Sequence, residues 1–411
     1  MEGKLHMDNG LHKPQVLKGF RDFLPEAAWK RQWLKNKMIG VVSSWGYEPL
    51  ETPTLEPLEL FAGQIGEDEK LFFSFEDNGG RKVALRYDQT VPTCRVLGEY
   101  AHTLVFPFRR YQVQSAFRAE KPQKGRYREF TQFDIDIFGV TAATADAEVI
   151  AVTLDIYRQL GFKTATALIN SRSLMVGIPY EAIVAIDKLA KIGKDGVIAD
   201  MTNKGISQVD AERYFEQVMN LKPNEEIQTI FSYLENAGFS SDWYRFEPTL
   251  ARSFSYSEGP IWEIVIPEYG TGSVGGGERY DSLIEKVSGQ KISGTGIGIG
   301  FDRTLEAAEA CGLMPVYTSS TKVLITSFSN ELYATSNTVS QTIRATGISA
   351  ELYPDATAKL DKQLKYADRK KIPFVVIIGP EEAEKGVVQV KNMTTRESTT
   401  VKMEDVASSI K

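Results

Sequence analysis

The hydrophobic pattern changes its period along the chain. Towards the C-terminus, Lys322–Phe328 reads as a strand, Glu331–Thr346 as a helix ended by Gly347, Ser349–Tyr353 as a strand and Ala358–Lys370 as a helix. Pro373–Ile378 and Val387–Val390 follow as apolar strands. Strand and helix in alternation predict a small parallel or mixed sheet covered by helices, and roughly 90 residues suffice for an independent domain. A turn-rich run, MPVYTSSTK, marks the break before it.

The earlier residues read differently. Between Lys82 and Phe138, strand-like runs succeed one another with little helix between, which predicts an antiparallel sheet. Ala145–Leu160 carries Ile150, Leu154 and Tyr157 on one helical face, and Gly161 stops it. From Ser173 to Asn236 the pattern turns helical and polar, and strand character returns at Ile261–Ile266. The expected architecture is α+β. An antiparallel sheet flanked by helices occupies residues 1–320, with a helical insertion near 173–243, and a small α/β domain occupies 321–411.

Composition narrows the class. The 411 residues carry 48 Lys plus Arg against 54 Asp plus Glu, a net charge of -6, so the chain is no simple polycation. The last 90 residues carry +2 and the rest -8. Two cysteines, Cys94 and Cys311, and three histidines give neither a disulfide framework nor a Cys-based zinc site, and no metal site is expected. No run of about 18 apolar residues exists to span a membrane. Met1–Val16 lacks the pattern of a signal or transit peptide. The expectation is a soluble cytoplasmic protein.

The candidate chemistry lies on several separate segments. Tyr111–Phe138 reads as two strands joined by a loop at Glu120–Gly125. Alternation puts Gln112, Gln114 and Arg118 on one face, and Arg126, Arg128, Gln132, Asp134 and Asp136 on the matching face of the second strand. A face of Arg, Gln and Asp is a poor core surface, because each charge needs a partner. It suits a ligand carrying both signs of charge, and a solvated edge hairpin is the bland alternative. Asp88 and Thr90 in LRYDQT can hold an ammonium group or merely cap a helix. Alternating glycines in Gly294–Gly300, followed by Arg303, let a backbone approach a planar ring, or simply pack a helix on a strand. Neither a dinucleotide fingerprint nor a P-loop is present.

Together these segments resemble the histidyl-tRNA synthetase family, of the class II aminoacyl-tRNA synthetases. KGFRDFLP and GYEPLETP are similar to the family's opening and to class II motif 1, FRAEKPQKGRYREFTQFDID to motif 2, and GIGIGFDR to motif 3. LRYDQT, LARSFSYSEGPIWE and GGGERYD resemble its histidine segments, and the C-terminal part resembles its anticodon-binding domain.

The resemblance implies an enzyme that activates L-histidine with ATP, with Mg²⁺ on the outer phosphates, and transfers it to the 3′ end of tRNA(His). It implies that Arg118, Arg252 and Arg303 surround the transferring phosphorus. Asp88, Gln89 and Thr90 are implied at the substrate ammonium and Gln132 at the amino-acid backbone, with Asp136, Tyr256 and Ser257 at the imidazole. Lys121, Gln123 and Lys124 are implied at the tRNA, and motif 1 implies a homodimer.

The chain departs from the family pattern at several positions. Ser257 replaces the second tyrosine of the usual R-G-L-D-Y-Y-T-G, Glu278 stands where glycine is common, and Lys121 replaces a frequent arginine. The other reading is a non-catalytic relative that senses histidine or tRNA. Such relatives usually lose the ATP-binding arginines or the C-terminal domain, and both are present here. Lys359, Lys362, Lys365, Arg369, Lys370 and Lys371 cluster on one helix, where a solvated face is the commoner explanation.

Overall fold

The computed structural model describes residues 14–63, 71–122, 126–252, 257–270 and 272–410. They form two compact units, divided between Met314 and Pro315.

The larger unit begins with α1 (Pro25–Ser44), β1 (Glu48–Pro49), β2 (Leu55–Pro57), α2 (Leu58–Phe61), β3 (Ser74–Glu76), β4 (Lys82–Leu85) and α3 (Thr90–Tyr100). The long hairpin β5 (Phe108–Phe117) and β6 (Glu129–Phe138) follows, then α4 (Ala143–Leu160) and β7 (Thr166–Ser171). Next come α5 (Tyr180–Ile186), α6 (Leu189–Asn203), α7 (Gln208–Met219), α8 (Glu225–Asn236) and β8 (Tyr244–Phe246). The unit closes with β9 (Glu258–Val265), β10 (Ser273–Arg279), α9 (Asp281–Ser288), β11 (Gly294–Gly300) and α10 (Phe301–Ala310).

Eight strands make the central sheet in the order β1-β5-β6-β11-β10-β9-β7-β8. Its six inner strands are antiparallel, as the alternating runs predict, but the edge strands β1 and β8 pair parallel, so the sheet is mixed. The sheet is two-faced because β6 is two-faced. Phe133, Ile135 and Ile137 are fully buried beneath α1 and α4, while Gln132, Asp134 and Asp136 point the other way. α4 ends at Gly161, whose φ of 97° is the left-handed turn a glycine supplies without steric cost.

Two expectations are corrected. The stretch from Lys82 to Phe138 contains α3, whose Val91, Thr93 and Val96 read as strand formers but are buried in a helix. Pro92 is tolerated there because it lies in the first turn. The helical insertion is smaller than 173–243. α5, α6 and α7 share a core of their own, whereas Ile227, Ile230 and Leu234 of α8 join the main core.

The smaller unit contains β12 (Val323–Ile325), α11 (Asn330–Ala345), β13 (Ala350–Leu352), α12 (Leu360–Arg369), β14 (Phe374–Ile377), α13 (Pro380–Glu384), β15 (Val387–Asn392) and β16 (Ser398–Lys402). Its sheet order is β13-β12-β14-β15-β16, parallel around β12 and antiparallel beyond β14. Three lysines on α12 and just after it are paired, Lys362 with Asp355 at 3.9 Å among them. Lys365 meets Asp361 at 2.7 Å, and Lys370 bonds Glu351, which also accepts from the Tyr366 hydroxyl at 2.7 Å.

Candidate active site

The polar face of the central sheet floors a cavity of about 590 Å³. Register explains why a cavity forms there. Asp136 on β6 faces Gly296 on β11, which faces Glu278 on β10. In the next row Asp134 faces Gly298, Gly298 faces Gly276, and Gly276 faces Glu263 on β9. Directly opposed residues share a face, so glycines clear the middle of the floor and charged side chains border it. The clearance is required. A Cβ on Gly296 would stand 1.8 Å from Asp136 Oδ1, one on Gly276 1.7 Å from Arg252 Nη1, and one on Gly298 2.8 Å from Gln132 Nε2.

Arg118, Arg252, Arg303, Asp88, Thr90, Gln132 and Asp136 all line this cavity, although they lie on five separate segments of the sequence. Arg118 follows β5, and its guanidinium sits 4.2 Å from the centre of the Tyr87 ring and 5.1 Å from that of Phe130. These cation–π contacts fix its plane. Arg303 opens out of β11 into α10 and donates from Nη1 to the Ser273 carbonyl at 2.7 Å. Arg252 precedes β9 with φ at 47°, the left-handed region that side chains rarely adopt. Its guanidinium lies over Gly276, 3.6 Å from Glu263 and 3.4 Å from Glu278.

Asp88 steadies the start of α3 and borders the cavity. Its Oδ1 accepts the Val91 N–H at 3.2 Å at the start of α3, and the carboxylate also faces the cavity. Burial pushes its pKa up, against the pull of the backbone amides and Arg118. Asp136 accepts a hydrogen bond from the Tyr280 hydroxyl through Oδ1, and Oδ2 lies 2.7 Å from Arg110 Nη2. Arg110 is fully buried beneath the row and also faces Asp134 at 3.9 Å. Burial pushes both aspartates above the ordinary carboxylate range, against the pull of the Arg110 guanidinium that they share.

Three expected residues do not line the cavity. Gln89 is buried, and its amide donates to the Gln132 carbonyl at 2.9 Å and the Gln114 carbonyl at 3.2 Å, so it ties α3 to the hairpin. Ser257 is buried and its hydroxyl donates to Glu278. Lys121 is exposed at the end of the β5 arm. Gln123, Lys124 and Tyr256 lie outside the described residues.

Residues that the sequence reading passed over complete the site. Arg110 shares the alternation face of Gln112 and Gln114, so its place was readable. Asp302 accepts hydrogen bonds from Arg31, from Arg21 at 2.9 Å and from the Thr131 N–H at 2.9 Å, steadying the turn that carries Arg303. Nothing in the sequence points to the long-range pairing of Tyr280 with Asp136.

The arrangement puts guanidiniums at one part of the cavity and carboxylates at another. It can hold an anion under electrophilic stabilisation while neutralising a nearby cation. Comparison with known proteins decides which chemistry this is. A family model described as histidyl-tRNA synthetase matches residues 19–194, and one described as anticodon binding domain matches residues 322–411. The histidine–tRNA ligase of Cytophaga hutchinsonii is 33% identical, covering 96% of this chain and 99% of the relative. The chain belongs to the histidyl-tRNA synthetase family.

Another family member, the histidine–tRNA ligase of Rhodopirellula baltica, is 34% identical over 94% of this chain and 95% of its own. The crystal structure of histidyl-tRNA synthetase from Nostoc sp. PCC 7120 superposes with a TM-score of 0.83 at 26% identity, covering 96% of this chain and 98% of that one. The histidyl-tRNA synthetase family therefore accounts for both units of the fold, the mixed sheet and the smaller α/β unit.

Proposed function

We propose that the chain is a histidine–tRNA ligase. It activates L-histidine with ATP to histidyl-adenylate and then transfers the histidyl group to the 3′ end of tRNA(His). The observation that carries this reading is the convergence of Arg118, Arg252 and Arg303 with Asp88, Gln132 and Asp136 on one cavity of a synthetase-family sheet.

In the first step a histidine carboxylate oxygen attacks the α-phosphorus. The new oxygen–phosphorus bond replaces the bond to the β-phosphate, and pyrophosphate leaves with its electron pair. Negative charge grows on the α-phosphate oxygens and the leaving group, where fixed guanidiniums stabilise it without reorganising. Arg118 and Arg252 take the α-phosphate side, and Arg303 takes the nucleotide. Asp88 and Thr90 hold the substrate ammonium, Gln132 orients its backbone, and Asp136 accepts from the imidazole, with Tyr256 beside the ring. In the second step a hydroxyl of the terminal tRNA ribose attacks the activated carbonyl, and AMP departs.

Mg²⁺ enters on the outer phosphates of ATP in this reading. Among the described residues no group of three His, Cys, Asp or Glu side chains offers a cage for a resident ion. The remaining roles rest on the family resemblance. Lys121, Gln123 and Lys124 approach the acceptor end of the tRNA, the smaller unit takes the anticodon, the segment through α1 and β1 joins two copies as a homodimer, and the enzyme works in the cytoplasm. No described helix is long and apolar enough to cross a membrane. Retention of all three arginines and of the smaller unit favours the enzyme over a sensor. Charging of a tRNA(His) transcript with labelled histidine tests the reading, and failure to charge it in the presence of ATP and histidine would overturn it.

A further inference from the structure

The floor of the cavity is bordered by two matched charge sets. On the β6 side Arg110 serves two carboxylates, Asp134 at 3.9 Å and Asp136 at 2.7 Å. On the β9–β10 side Arg252 serves two more, Glu263 at 3.6 Å and Glu278 at 3.4 Å. Each side therefore sets two carboxylates against one contacting guanidinium. Both Asp136 and Glu278 are more than nine-tenths buried, and Gly296 lies between them with no side chain. Two strand spacings, about 9.5 Å, separate their backbones. Both carboxylates line the same cavity, so one bound ring can meet the two of them. Water alone would leave both carboxylates short of a cation in a low-dielectric site.

Building on the histidine reading, we propose that Glu278 is a second specificity-determining residue: it and Asp136 accept from the two ring nitrogens, so that the pocket takes the substrate ring as the imidazolium. A neutral imidazole has one N–H donor and one bare acceptor, and two carboxylates facing its two nitrogens leave the bare one opposite a negative oxygen. The imidazolium has two donors. Its charge meets the deficit on the Glu278 side, as the substrate ammonium at Asp88 and Thr90 meets the deficit on the other. Glu278 retains room to accept, since a carboxylate offers about four lone-pair positions. Among the described residues, Arg252 and the Ser257 hydroxyl use two of them.

The groups facing this pair are few. Arg252, Ser257 and Glu263 surround Glu278 from β9 and the segment before it, and Arg172 after β7 feels its charge. Asp136 has Arg110, Asp134 and the Tyr280 hydroxyl, with the Cys94 thiol and the Tyr47 hydroxyl feeling its charge. None of these is a mobile cation that could take the place of a protonated ring. Ser257 is spent on Glu278, so the serine at the tyrosine position of the family pattern acts as the prop of a carboxylate.

Calorimetric titration of histidine into the full chain at pH 7.5, in two buffers of different ionisation enthalpy, tests this. The wild type is expected to take up close to one proton per histidine bound. Its histidine affinity should weaken by up to tenfold per pH unit above about 6.5, the free imidazole pKa. Glu278→Gln should bind histidine with little uptake and a flat pH profile. It should also close most of the gap between histidine and triazolylalanine, whose ring stays neutral. Histidine binding by the wild type without proton uptake would overturn the proposal, as would equal uptake by Glu278→Gln. If Glu278→Gln binds nothing, the uptake and pH profile of the wild type still decide. Absence of both histidine binding and histidine-dependent exchange in the wild type would overturn the histidine reading itself, a result distinct from binding without uptake.

Discussion

Asp136 fills the space that a side chain on Gly296 would take, since a Cβ on that glycine would stand 1.8 Å from Asp136 Oδ1. The glycine is thus part of the ring site although it offers no functional group. Gly296→Ala should push the carboxylate aside and lower kcat/KM for histidine by about 10², the loss that displacement of a reacting or reading group by ~1 Å produces. Gly298→Ala meets the flexible amide end of Gln132 at 2.8 Å and should cost less, about tenfold. Steady-state exchange kinetics of the two variants check the order, and equal losses would contradict it.

Arg252 is held by two carboxylates over a residue without a side chain. Arg252→Ala should reduce kcat for histidine activation by about 10²–10³, the usual loss for one transition-state donor. Gly276→Ala, placed 1.7 Å from Arg252 Nη1, should reproduce much of that loss while leaving the arginine present. Single-turnover formation of histidyl-adenylate measures it. A fall in ATP affinity with an unchanged rate would contradict the assignment.

Arg110 is buried under two aspartates and reaches no solvent. Removing it alone, as Arg110→Met, strands two buried carboxylates and should destabilise the larger unit by about 3–5 kcal/mol. Adding Asp134→Asn and Asp136→Asn removes the uncompensated charge and should restore most of that stability without restoring activity. Urea denaturation followed by tryptophan fluorescence compares the three chains.

The same pair sets a pH dependence. Burial raises Asp134 and Asp136 above their unfolded values, so between about pH 3.9 and the folded values the native chain binds more protons than the unfolded one. Their contribution to stability is fully present below that window and is lost as pH rises through it. Asp134→Asn lacks part of this term. The drop in its urea midpoint between pH 5 and pH 7.5 should therefore be smaller than in the wild type, and an equal drop would assign the dependence to other groups.

The sequence made the hairpin, its polar face and most of the smaller unit legible, because each rests on local periodicity. Gln132, Asp134 and Asp136 alternate with Phe133, Ile135 and Ile137, and no tertiary information is needed to split them. What stayed hidden depends on strand order. That Glu278 lies two strands from Asp136, with Gly296 between, follows only once β6, β11 and β10 are neighbours. Gln89 looked like a substrate contact from its position beside Asp88, yet its amide nitrogen donates to two backbone carbonyls. α3 was missed because its β-branched residues favour a strand and tertiary packing overrides that propensity, and α8 was assigned to the insertion because a helix announces its apolar face but not its partner.

The central claim is that this cavity activates histidine. Histidine-dependent ATP–pyrophosphate exchange, with each of the other standard amino acids as a control, tests it most directly. The account predicts exchange with histidine alone, reduced by at least about 10² in Arg118→Ala. Exchange driven by a different amino acid, or none with histidine from a folded chain, would contradict it.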